Sequence, residues 1–107
     1  MQAISTTKDI IQNIGKIFEK GLQNKYLSRS IGKIIEYEKE KTTEEVNMLK
    51  KELSRFESAY QMSSKDFFDR FEKGELGDKE DYFEWSAMYQ MYERSVDRLN
   101  IIESPSA

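Results

Sequence analysis

Residues 63–85 read SSKDFFDRFEKGELGDKEDYFEW, and the reading of this stretch decides the fold. Phe67, Phe68 and Phe71 fall at helical spacing before Gly74-Glu75-Leu76-Gly77-Asp78, and Tyr82, Phe83 and Trp85 fall after it. Two glycines three residues apart stop one helix and turn the chain into the next, since glycine adopts positive φ without the Cβ clash that other residues meet. Ser63 or Ser64 is positioned to cap the helix entering this corner, with Asp66 completing a capping box for Ser63. Asp78 is predicted to N-cap the helix leaving it, while Asp81 and Glu84 suit the positive end of that helix dipole. Phe67, Phe71, Gly74, Gly77 and Trp85 are therefore the residues expected to hold the structure together.

Upstream of the corner, Val46, Leu49, Leu53, Phe56 and Tyr60 step by 3, 4, 3 and 4, the alternation of a coiled-coil seam. Downstream, Trp85, Met88, Tyr89, Tyr92, Val96 and Leu99 form a second helical stripe. Laid antiparallel, the two stripes cover one another, and the expected fold class is all-α: a long helix and a C-terminal helix in a hairpin, with a short helix and the GELGD turn between them. Extended upstream, the seam carries Lys39 and Thr42, a polar waist that fits either one long helix or two helices broken near Thr42. The absence of glycine and proline between Gly32 and Gly74 favours the unbroken helix.

At the N-terminal end, Thr6 and Asp9 have capping-box spacing, and Ile10, Ile11, Ile14, Ile17 and Phe18 follow as an apolar stripe that Gly21 closes. Ile31 and Ile34 continue the apolar character beyond it. Two fates fit these isoleucines: they fold back on the hairpin, or they stay open as an interface. The expected organisation is one helical domain over residues 1–107, with residues 1–40 an interaction arm and residues 42–102 the hairpin. Ile10, Ile14, Ile17, Phe18, Ile31 and Ile34 are the candidate partner-binding residues of the arm, and Glu75 and Asp78 those of the corner.

Composition narrows the chemistry. The 107 residues contain no cysteine and no histidine, which removes thiolate nucleophiles, the usual zinc ligands and the side chain best suited to proton transfer at neutral pH. Glu75, Asp78, Glu80, Asp81 and Glu84 lack the Asp-x-Asp-x-Asp-Gly spacing of a calcium loop, and helix capping accounts for them without a metal. GELGD has neither the spacing nor the lysine of a phosphate loop. Tyr82 and Tyr89 are conceivable proton donors, but no pocket is visible in the sequence to tune them. The expectation is a non-enzymatic chain with no cofactor and no metal. The opening MQAISTTKDIIQNIGKIF has no apolar stretch of signal-peptide length and no run is long enough to span a membrane, so no membrane partner is expected and the expected location is cytoplasmic.

Charge is unevenly placed. Residues 1–41 carry eight Lys/Arg and five Asp/Glu, whereas residues 42–107 carry nine and fifteen. Lys16, Lys20, Lys25, Arg29 and Lys33 recur along the first part at a spacing able to track a nucleic-acid backbone, diluted by Glu19 and Glu36. Nucleic acid is thus one candidate partner, and a basic protein on the acidic second half is another.

The run from Ser63 to Asp78, continued by Asp81-Tyr82-Phe83-Glu84-Trp85-Ser86-Ala87-Met88-Tyr89, resembles the small helical antitoxin-like proteins of prokaryotes, common in archaea, that carry SSxxFxxRFxxGELGDxxDFFEW and are associated with toxin-antitoxin gene pairs, including TumE-type toxins. The resemblance covers residues 28–99. It implies a non-catalytic protein that binds and silences a cognate toxin, commonly a nuclease. The DNA-binding element that antitoxins usually carry is not recognisable in this sequence. Two further readings stand beside it: a coiled-coil homo-oligomer or adaptor built on the long helix, and nucleic-acid binding through the basic first half.

Overall fold

A computed structural model describes residues 6–104 of the chain. The described residues form four helices and no strand: α1 (Thr7–Glu19), α2 (Lys25–Tyr60), α3 (Ser64–Glu72) and α4 (Glu80–Glu103). They divide into two compact units between Ile34 and Ile35.

In the first unit, α1 is closed at both ends by the chemistry its sequence supplies. Thr6 Oγ1 accepts from the Asp9 amide at 3.1 Å and Asp9 Oδ2 accepts from the Thr6 amide at 3.3 Å, so two amides that the helix leaves unpaired are satisfied reciprocally. At the other end Gly21, at φ 68°, donates to the Phe18 carbonyl while Leu22 donates to that of Ile17, the paired bonds of a Schellman turn. Asn24 then starts α2, its Oδ1 accepting from the Leu27 amide at 2.8 Å.

The second unit is the hairpin. The chain passes the polar waist without a break, because Thr42 occupies a seam position and is buried there, while Glu38 pairs with Arg98 and Lys39 with Glu103 at 3.4 Å. At the far end Tyr60 meets Asp81 and Phe56 stacks on Trp85. Partners early in α2 are thus late in α4 and the reverse, which defines an antiparallel pair. Val46, Leu49 and Leu53 are buried along the seam, and Phe67 and Trp85 are fully buried beneath the corner.

Three helices end on a left-handed residue. Glu75 N–H donates to Arg70 and Gly74 N–H to Phe71, with Gly74 at φ 74°, so α3 ends in the same kind of turn as α1. In α2 the left-handed position falls on Gln61, at φ 51°, where Met62 N–H reaches the Glu57 carbonyl and Gln61 Nε2 donates to the Ser58 carbonyl at 2.7 Å. No glycine marks that stop, which only the cap at Ser63 announces in the sequence.

One capping expectation is corrected and another is resolved between two serines. Asp78 is not the N-cap of α4: that position is held by Lys79, which makes no side-chain cap bond, and Glu80 and Asp81 place carboxylates in the first turn instead. Gly77, at φ 86°, prolongs the turn, so helical geometry begins beyond Lys79. The Lys79 ammonium lies over the Tyr60 and Tyr82 rings at 5.7 and 5.8 Å, a contact that occupies the side chain at the cap. At α3 the cap is Ser63, accepting from the Asp66 amide at 3.1 Å, and Ser64 has a different task.

Candidate partner-binding surfaces

The corner is held by interlocking aromatic residues. Phe67 lies flat on Trp85 with ring centroids 3.8 Å apart and planes 6° apart. Phe56 and Tyr60 each stack on Trp85 at 5.6 Å, and Phe71 stacks on Phe67 at 5.4 Å. Burying an aromatic side chain of 150–250 Å² contributes about 4–6 kcal/mol at about 25 cal/mol per Å². A buried indole N–H would cancel part of that gain if left unpaired. It is paired: Trp85 Nε1 donates to Ser64 Oγ at 2.9 Å, and the Ser64 amide donates to Glu57 Oε2 at 2.8 Å. Ser64 thus joins α2, α3 and α4. Its role escaped the sequence reading because a serine beside a cap reads as a cap, and the 21 residues separating it from Trp85 carry no local signal.

The five residues expected to be structural all lie at the corner. Phe67 and Trp85 are fully buried, Phe71 is half-buried against them, and Gly74 and Gly77 have positive φ. Around this framework the surface is acidic: the segment from Asp66 to Glu84 holds eight carboxylates and three cations. Glu75 and Asp78 are both exposed on the connecting turn, and Glu75 lies 3.6 Å from Arg70, so its charge is partly shared while that of Asp78 is open.

On the opposite wall of Trp85, Tyr60 donates its hydroxyl to Asp81 Oδ2 at 2.6 Å. That hydrogen bond, with desolvation and the Asp81 charge adding to it, pushes the Tyr60 phenol up to about 12. Such a group stays protonated at neutral pH and serves as a fixed donor rather than a proton carrier. Tyr60 and Asp81 line an open groove of about 310 Å³ together with Glu52, Arg55, Phe56, Ala59 and Glu84. Tyr89 is also raised, first by burial and then by the charges of Glu93 and Asp69. No cluster of three or more acidic side chains able to hold a metal ion is present among the described residues.

In the first unit the apolar stripe of α1 is well formed and open. Ile10 is 49% exposed, Phe18 is exposed, Ile14 and Ile17 are half-buried, and α1 contains no buried residue at all. Ile11 and Leu22 extend the exposed surface, and in the start of α2 Ile34 is exposed and Ile31 half-buried. Ile10, Ile14, Ile17 and Phe18 lie on one face of α1, and their exposure is what the structure adds.

The fold defines an all-α protein built on an antiparallel helical hairpin, and no described helix is long and apolar enough to cross a membrane. No protein-family model, curated protein or solved structure matches the chain.

Proposed function

We propose that this chain is a non-catalytic, antitoxin-like protein that binds and neutralises a partner toxin, a nuclease in the reading that its corner motif suggests. The observation that carries the proposal is α1. Thirteen residues with reciprocal caps at one end and a Schellman turn at the other present Ile10, Ile14, Ile17 and Phe18 without burying any of them. Isolated helices of this length are marginal in water, so an apolar face this regular gains most of its stability when a partner covers it. Ile31 and Ile34 extend the apolar contact, while Glu75 and Asp78 steer a basic partner.

The test is to express the tagged protein in its native cytoplasm, isolate what co-purifies in stoichiometric amount, and express that protein alone. A small basic protein that stops growth by itself and is silenced by this chain is the expected result. Recovery of the chain without any such partner overturns the reading. Reversing Glu75 and Asp78 to lysine is expected to slow association with the fold intact, and unchanged inhibition would remove the steering role from these two residues.

A further inference from the structure

An exposed flank of α4, bordering α2, carries a second seam: Arg98 reaches Glu38 of α2, and Met91, Arg94 and Arg98 line an open groove with Glu45. Glu80, Glu84, Ala87, Met91, Arg94 and Arg98 follow one another at intervals of four, three, four, three and four, so they form a single stripe, and all six are exposed. The stripe points away from buried Trp85 and half-buried Tyr89 and Val96. It is acidic at its N-terminal end, apolar in the middle and basic at its C-terminal end. Arg94 has no carboxylate partner among the described residues, and Arg98 pairs with Glu38.

We infer that this face of α4 is a self-association surface whose occupant is the same stripe on a second copy, lying antiparallel. Charge order selects the occupant. In one antiparallel register Glu84 faces the second copy's unpaired Arg94, Met91 faces its Ala87, and Glu80 joins Glu38 of that copy at its Arg98. Two-fold symmetry repeats every pairing. The large methionine meets the small alanine on both sides of the axis, and helix dipoles oppose one another favourably in the same arrangement. A parallel pairing would set Glu80 and Glu84 against themselves and Arg94 and Arg98 against themselves. The seam of α2 is not available for this purpose, because Val46, Leu49 and Leu53 are already buried within the chain. Self-association here is independent of any toxin and is measured without one.

The experiment is sedimentation of the full chain at low salt, from micromolar to near-millimolar concentration, for the wild type, Glu84→Arg, Arg94→Glu and the double variant. Both positions are exposed, and far-UV circular dichroism checks that helicity is kept. The wild type is expected to form a dimer. Each single reversal introduces two like-charge contacts and is expected to weaken the dimer about tenfold or more, since the two lost surface pairs and the new repulsions add. The double variant restores opposite charges in the proposed register and is expected to recover the wild-type association. A wild type that stays monomeric, single variants that dimerise like the wild type, or a double variant no better than the singles would each overturn the inference.

Discussion

The Phe67 ring and the Trp85 indole lie face to face, 3.8 Å apart and within 6° of parallel, and both are fully buried. This contact joins α3 to α4 beside α2, whose Phe56 and Tyr60 also stack on Trp85. Removing it with Phe67→Ala leaves a ring-sized void and is expected to cost about 3–5 kcal/mol. Urea unfolding followed by the fluorescence of the single tryptophan measures the loss, and a change of less than about 1 kcal/mol would show that the stack is not central to stability.

Ser64→Ala removes the only acceptor that the structure gives the Trp85 indole N–H. An unpaired buried donor costs about 1–3 kcal/mol, far more than the small change in volume. The same unfolding experiment is expected to register this loss, and Ser63→Ala, which removes only the α3 cap, is expected to cost about 1 kcal/mol.

Gln61 and Gly74 offer opposite tests of one backbone argument. A side chain at positive φ costs about 1–2 kcal/mol, so Gly74→Ala is expected to destabilise by about that amount even though its Cβ meets open space. Gln61→Gly relieves the same cost but loses the bond to the Ser58 carbonyl, and a net gain of up to about 1 kcal/mol is expected from thermal melts.

Tyr60 makes stability depend on alkaline pH. Its folded-state phenol titrates near 12, above the unfolded value of about 10, so the folded chain holds the proton more tightly. The contribution is complete below pH 10 and is lost as pH rises through 12. Tyrosinate absorbance should therefore show a late step that Tyr60→Phe removes. Its persistence in that variant would assign the step to another of the six tyrosines, Tyr89 first, whose phenol is also raised.

Ile10→Asp tests the open face of α1. Because Ile10 is 49% exposed and α1 buries nothing, the substitution is expected to leave hairpin unfolding within about 0.5 kcal/mol of wild type while abolishing capture of the partner. A large drop in hairpin stability would show that the residue serves the fold instead.

The sequence by itself determined most features that depend on neighbours within a turn or two of helix, the start of α4 at Lys79 and the left-handed stop at Gln61 excepted. Apolar spacing placed the helices and their buried faces, Thr6 with Asp9 capped α1, and Gly21 and Gly74 stopped α1 and α3, because these effects act through bonds spanning a few residues. The tertiary structure decided what depended on residues far apart in the chain. Ser64 became the partner of Trp85, and Lys79 came to cover Tyr60 and Tyr82. Thr42 was buried at the waist rather than breaking the helix. Gln61 was held left-handed without a glycine, because the hydrogen bonds of the α2 end and the packing of α3 outweigh its backbone preference. Local energies of about 1 kcal/mol write the elements, and burial of a few large rings, each contributing several times that, selects how they are joined.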